Sequence, residues 1–332
     1  MDSRRDWVMD RVDSLTEGSD ELKELYPNVY NEFDTWSALK LILHAATVNM
    51  YTKVISNHKE DFFYIDALAG SGVSVYGDQG DCFLGSAILA AKQAEEPFTK
   101  MYFIEQDSDN VEALEDRLYH AFYELDLEIT PPDAYEVIPG NTNKEMENVV
   151  SDIWKIAKSR RETPNFNHPT FIDNQGLDVY WETVKKVAPK PTGDLLINFP
   201  TAPVGRTANA SHSQEAMNKF YGGDTWDVDD KGRENLLDIY TAQLKSLDKP
   251  VQKVVNIESG VTSYEYDMIY ATRETSRGSE YVNAIEYVRE FIEAVDGADV
   301  EEMLKVLRGD QMTIQSFLPR DDERQTGMEE FI

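Results

Sequence analysis

Short apolar runs alternating with longer mixed stretches set the rhythm of this chain. Phe62-Phe63-Tyr64-Ile65-Asp66-Ala67-Leu68 is too short for a buried helix and rich in aromatic residues, so it predicts a buried strand. Residues 101–105, 135–138, 170–173 and 195–199 repeat that pattern and predict four more strands. Helical segments fall between them. One starts at Asp34-Thr35-Trp36-Ser37 and continues over 38–51. Others are expected from a Ser86 cap through 93, a Ser108 cap through about 122, a Thr142 cap through about 158, and around 177–187.

Strict alternation of strand and helix argues for a parallel sheet covered on both faces, hence an α/β domain. The rhythm changes after Pro200. Residues 201–248 read as helical with a turn-rich insert at Gly222-Gly223-Asp224-Thr225-Trp226. Residues 253–257 and 266–272 read as two late strands joined by a short hairpin-like link, so the last strand is expected to be antiparallel. The expected organisation is a helical extension over 1–33, an α/β domain over 34–295 with the helical insert 201–248, an acidic helix over 296–310, and a tail over 311–332.

The chain has 332 residues and a formal net charge of -30, from 62 acidic and 32 basic side chains. Hydrophobic residues make up 41%, enough for a folded core. Acid spread over the whole length fits the solvated surface of a protein from a halophile, with a mesophilic protein that avoids nucleic acid as the alternative. General phosphate attraction cannot hold such a body on DNA. The single cysteine, Cys82, allows no intramolecular disulfide and no cysteine-based metal site. His44, His58, His120, His168 and His212 show no ligand spacing, and no metal is expected. No stretch has the length of a membrane span, and a cytoplasmic location is expected.

Ligands of open α/β sheets bind beyond the carboxyl ends of the strands. Four polar groups fall at such ends. Asp66 leads into Ala69-Gly70-Ser71-Gly72, Glu105 ends the second strand, Asn141 follows the third, and Asp173 ends the fourth. The layout resembles the Rossmann-like class I S-adenosylmethionine (SAM)-dependent methyltransferases. That resemblance implies that Asp66, Gly70, Ser71 and Gly72 cradle the methionine part of SAM, that Glu105 holds the ribose, and that Asn141 meets the adenine. The loop 73–84 makes the spacing from Gly72 to Glu105 longer than usual. A dinucleotide site fits less well, because no G-x-G-x-x-G runs at once into a helix. An empty crevice is the third reading.

The body also resembles the three-Cys-motif partner family, a methyltransferase-like group named for a separate partner protein. The matching residues are Trp36-Ser37 with Lys40, Asp66-Ala67-Leu68-Ala69-Gly70-Ser71-Gly72, Gly85-Ser86, Phe103-Ile104-Glu105, Phe171-Ile172-Asp173 with Gly176, Asn198-Phe199-Pro200 with Arg206, and Tyr270-Ala271-Thr272. They span roughly residues 34–292, and the chain departs from the family at Asn174, where proline is usual. Amino-methyltransferases of nucleic acid place a D/N-P-P-aromatic turn here, whose oxygens accept from the target amine. Asp173-Asn174-Gln175-Gly176 offers the acceptors without the prolines, which makes Asp173 the catalytic candidate. Arg206 is expected to bind a substrate phosphate or carboxylate, or to form a surface salt bridge. Lys40 is expected in a structural ion pair.

The tail carries one pattern twice. Gln311, Ile314, Phe317 and Leu318 read Q-x-x-I-x-x-F-L, and Gln325, Met328, Phe331 and Ile332 read Q-x-x-M-x-x-F-I. One 3₁₀ turn would gather each apolar set on one face. Both copies resemble the PIP box, which docks on the replication sliding clamp PCNA; the internal copy could instead fold back on the body. The combined expectation is a clamp-tethered, SAM-dependent protein acting on or near DNA, with a flipped base as methyl acceptor. A non-catalytic clamp-bound adaptor, and an accessory to nuclease or radical chemistry working with a separate partner, are the alternatives.

Overall fold

Along the strand Asp61–Asp66, Phe62 and Tyr64 pack into one hydrophobic cluster and Phe63 and Ile65 into another. Successive side chains of a strand point to opposite faces, so a continuous apolar run means a sheet covered twice. The computed structural model describes residues 3–77, 80–125, 127, 129–188, 193–210, 214–260, 265–274 and 280–308. The tail positions Gln311, Ile314, Phe317, Leu318, Gln325, Met328, Phe331 and Ile332 lie outside the described residues.

The chain opens with helices α1 (Ser3–Thr16) and α2 (Ser19–Leu25), the short strand β1 (Asn31–Phe33) and helix α3 (Thr35–Ile55). Strands β2 (Asp61–Asp66), β3 (Val73–Tyr76) and β4 (Asp81–Leu84) precede α4 (Ser86–Lys92), β5 (Lys100–Glu105), α5 (Ser108–Tyr123), β6 (Tyr135–Pro139) and α6 (Thr142–Arg160). Next come β7 (Phe166–Asn167), β8 (Pro169–Asp173), α7 (Trp181–Val187) and β9 (Asp194–Phe199). The last third holds α8 (Thr201–Ala208), α9 (Gln214–Tyr221), α10 (Arg233–Ser246), β10 (Val251–Glu258), β11 (Glu265–Thr272), α11 (Glu280–Ile292) and α12 (Gly297–Leu307).

The main sheet has the order β10-β11-β9-β8-β2-β5-β6, with β7 beside β2. Strands β6, β5, β2, β8 and β9 are parallel, and β11 is antiparallel to both β9 and β10. This is the Rossmann-like α/β fold, mostly parallel with a late antiparallel strand, that the sequence leads one to expect. The chain runs outward from β2 to β5 and β6, then returns to the other side of β2 with β8, so the order reverses at β2. That reversal opens a crevice at the carboxyl edge. Register puts Asp66 beside Phe103 and Phe171, Glu105 beside Pro139, and Asp173 beside Asn198.

Some expectations are corrected by local chemistry. The residues capping α4, α5 and α6 are Gly85, Asp107 and Asn141, each one position before the serine or threonine expected to cap. Asp107 accepts from the Asp109 and Asn110 amides and Asn141 from the Asn143 amide, while the Ser86 hydroxyl is spent on Asp66. Helix α7 starts at Trp181 rather than near 177, because Asp178 and Asn143 take the amides of Gln175, Gly176 and Tyr180 into a turn. The stretch 73–84 is not a plain loop: β3 and β4 pair antiparallel, and β1 joins β3 in a small second sheet.

Arg117 on α5 is fully buried and ties the amino-terminal segment to the glycine loop. Nε donates to Leu22 O (2.9 Å), Nη1 to Ser71 O (2.8 Å), and Nη2 to Tyr26 O (3.0 Å) and Val29 O (2.8 Å). Burial pushes its pKa down to about 10. Four hydrogen bonds from a charged donor offset that desolvation, and the planar fork reaches carbonyls that a lysine cannot serve together. Arg117→Lys should therefore lower stability by about 3 kcal/mol in urea unfolding, since buried carbonyls lose their donors. An unchanged midpoint would refute the clasp.

Candidate functional site

At the carboxyl edge of the sheet lies a cleft of about 380 Å³. Ala67, Leu68, Ile104 and Leu177 supply its apolar wall; Asn31, Glu105, Gln106, Asn141, Asp173 and Asp178 supply its polar groups. Among the described residues, no lysine, arginine or histidine lines it. It is an acceptor-rich cleft of ligand-binding size.

Glu105 closes β5 and is held by backbone amides alone. Oε1 accepts from the Gln106 and Asp107 amides, each at 2.8 Å, and Oε2 accepts from the Gly70 amide at 2.9 Å. Gly70 can present that amide because it sits at φ +63°, a left-handed conformation that glycine adopts without steric penalty. The Asn31 side chain lies over it, and Asn31 Oδ1 accepts from the Ser71 amide at 3.2 Å. Asn141 caps α6 with its oxygen and donates from Nδ2 to Gln106 at 3.1 Å.

Asp173, at the end of β8, faces the cleft from the other side. Lys40 Nζ, on α3, sits 2.8 Å from Oδ1 and 2.6 Å from Oδ2, and Asn198 Nδ2 donates to Oδ1 at 3.0 Å. Lys40 is buried behind the carboxylate rather than exposed in the cleft. Asn174 turns inward: its Nδ2 donates to Asn198 O and its Oδ1 accepts from the Val179 amide. The turn therefore presents Asp173 and Gln175 to the cleft, and the side-chain oxygen of Asn174, read from sequence as an acceptor for a target amine, is already used.

Asp66 is fully buried beneath the glycine loop. Ser86 donates to it at 2.6 Å, with weaker approaches from the Leu68 amide and the Tyr64 hydroxyl. Burial pushes its pKa up to about 7, against the lowering effect of those donors. His44, one turn after Lys40, meets the Tyr64 hydroxyl at 2.8 Å, and burial lowers its pKa to about 3. Neither Asp66, Ser71 nor Gly72 lines the cleft. Ser71 points inward to Val73 O, and Gly72 accepts the Gly85 amide at 2.7 Å, so close that a side chain on Gly85 would strike it. The structure thus gathers Gly70, Glu105, Asn141 and Asp173 around one cleft and sets Asp66, Ser71 and Gly72 as its support. Arg206 is exposed on α8 and does not line the cleft. Asn31, Gln106 and Asp178 line it without having been singled out from sequence.

No family model and no curated protein matches the chain. Several solved structures overlap with the chain at low identity. Protein LPL1258 from Legionella pneumophila is 10% identical, with a TM-score of 0.47 over 76% of this chain and 92% of that one. Trm1 from Pyrococcus horikoshii, solved with S-adenosyl-L-methionine, is 14% identical, with a TM-score of 0.42 over 86% of this chain and 78% of that one. An O-methyltransferase from Bacillus cereus in complex with SAH is 11% identical, with a TM-score of 0.34 over 79% and 100%. Nothing about the site follows from likenesses this distant. The resemblance to three-Cys-motif partner proteins is carried by the residues quoted for it alone. No helix among the described residues is long and apolar enough to cross a membrane.

The raised pKa of Asp66 has a pH signature. An unfolded aspartate ionises near pH 4, and Asp66 in the fold near 7. Between those values the folded chain keeps a proton that the unfolded chain releases, so this group's contribution to stability falls as pH rises. Asp66→Asn removes that loss. Its stability relative to the parent should climb by up to about 4 kcal/mol from pH 4 to 7 and level off above. Urea unfolding at pH 5 and pH 8 checks this; a difference that does not change with pH would contradict it.

Proposed function

We propose that the cleft binds S-adenosylmethionine and that the chain is a SAM-dependent methyltransferase. The observation that carries this is a cleft walled by Glu105, Asp173 and Asp178 with no cationic side chain lining it among the described residues. A dinucleotide or nucleoside triphosphate brings phosphates that need cations or a helix N-terminus; here the glycine loop runs into β3 rather than a helix, and the α6 N-terminus that lines the cleft is already capped by Asn141. A sulfonium and an ammonium suit the carboxylates instead. Glu105, fixed by three amides, keeps one acceptor site on Oε2 for a ribose hydroxyl. Asn141 and Gln106 offer polar groups to an adenine edge, and Ile104 and Leu177 offer apolar faces.

When bound, SAM supplies an activated methyl on sulfur. The chain's own part is to orient the acceptor. Asp173 accepts two contacts from Lys40 and one from Asn198, which leaves Oδ2 able to accept one N–H of an incoming amine and aim its lone pair. The proposed acceptor is a nitrogen of a nucleic-acid base swung out of its stack, because an amine inside a duplex cannot reach such a cleft. The tail copies support a tether to the sliding clamp, since apolar docking holds in salt that would screen a charged contact. A second reading is favoured by the inward turn of Asn174 and by the ion pair already on Asp173: a clamp-bound adaptor that does not transfer methyl groups.

Calorimetry with S-adenosylhomocysteine should give a micromolar dissociation constant, and Glu105→Ala should weaken it about tenfold or more, the worth of a hydrogen bond to a charged acceptor. No heat at saturating ligand would overturn the methyltransferase proposal in favour of the adaptor. Phe331→Ala should weaken clamp binding by about 2 kcal/mol, as expected for a buried aromatic anchor. Undiminished co-migration with the clamp after deletion of residues 325–332 and then 311–332 would sink the tether.

A further inference from the structure

We infer that Asn31 is a ligand-binding residue: its carboxamide nitrogen donates to the carboxylate at the amino-acid end of the ligand, and Arg117 is the positioning residue that holds it there. The inference deepens the proposed function and rests on that reading.

The cleft poses a problem that the core residues do not solve. S-adenosylmethionine and S-adenosylhomocysteine carry an α-carboxylate, and a cleft lined by three carboxylates repels it. The Gly70 amide, the natural donor at the glycine loop, is engaged by Glu105 at 2.9 Å. The Ser71 amide is engaged by Asn31 Oδ1 at 3.2 Å. That contact fixes which way the Asn31 carboxamide is turned. With oxygen committed to Ser71, nitrogen lies against Gly70, where an added Cβ would collide with it. Both residues line the cleft, and among the described residues no protein acceptor takes Asn31 Nδ2. Asn31 is itself solvent-exposed, so its donor is open to a ligand.

Asn31 belongs to neither layer of the α/β body. It begins β1, which pairs parallel with β3 directly after the glycine loop, Asn31 opposite Ser74. Two residues earlier, Val29 O takes a 2.8 Å bond from Arg117 Nη2, and the same guanidinium holds Ser71 O at 2.8 Å through Nη1. The segment that carries the donor and the loop that it serves are thus fastened to one rigid side chain. A neutral amide placed this way donates to a carboxylate without adding a cation that would repel the sulfonium.

The test compares two ligands with the full chain. S-adenosylhomocysteine has the amino-acid end; 5′-methylthioadenosine lacks it. By calorimetry, Asn31→Ala should weaken S-adenosylhomocysteine about tenfold and leave methylthioadenosine within about twofold. Asn31→Asp, which keeps the shape and adds a charge, should weaken S-adenosylhomocysteine further and spare methylthioadenosine. Loss of both ligands in parallel would mean a structural role and overturn the assignment, as would unchanged binding of both by either variant. If the parent chain binds neither ligand, the proposed function falls and this inference with it. Parent binding with unaltered variants removes only the role of Asn31.

Discussion

Three carboxylates end three strands of one sheet, Glu105 and Asp173 lining one cleft and Asp66 buried beneath it, and among the described residues no cation lines that cleft. Like charges brought together at a partly dry edge repel, and a fold that places them there needs a separate answer for each. Asp66 is answered by burial, with Ser86 donating and the pKa pushed up to about 7. Glu105 is answered by the three amides of Gly70, Gln106 and Asp107. Asp173 is answered by the Lys40 ammonium and the Asn198 amide, both reaching it from behind. Among the described residues no cation lines the cleft, which is the ground for proposing a ligand that brings its own positive charge.

The supporting structure follows from these answers. Lys40 sits on α3, a helix buried along most of its length, so its charge is fixed against Asp173 by packing that also places His44 against Tyr64. Asn174 and Asn198 bond each other through side chains and carbonyls, locking the end of β8 to the end of β9. Arg117 does the equivalent on the other flank, joining the glycine loop to the amino-terminal segment. The strand ends are thereby held on rigid elements, as the proposed site requires.

Much of the sheet was legible because strand periodicity and length are local properties: β2, β5, β6, β8 and β9 all announce themselves as short apolar runs, and the carboxyl-end position of Glu105 and Asp173 follows from them. What was not legible depends on contacts far apart in sequence. Asn31 reaches a loop forty residues on, and nothing in its own neighbourhood marks it. Ser86 reads as a helix cap but spends its hydroxyl on Asp66, whose approach is a tertiary fact. Asn174 reads as an open acceptor until Val179 and Asn198 are seen to use it. Arg206 shows the converse, because its place after β9 suggested the crevice while the turn of α8 directs it to solvent. The tail motif is legible as a pattern of residues, and its positions lie outside the described residues.

A crystal structure of the chain grown with S-adenosylhomocysteine would address the whole arrangement at once. Density should fill the cleft between Glu105 and Asp173, with a ribose hydroxyl on Glu105 Oε2 and the sulfur turned toward Asp173. A ligand bound elsewhere, a ligand in the cleft with its ribose away from Glu105, or a cleft empty at saturating ligand would contradict the account.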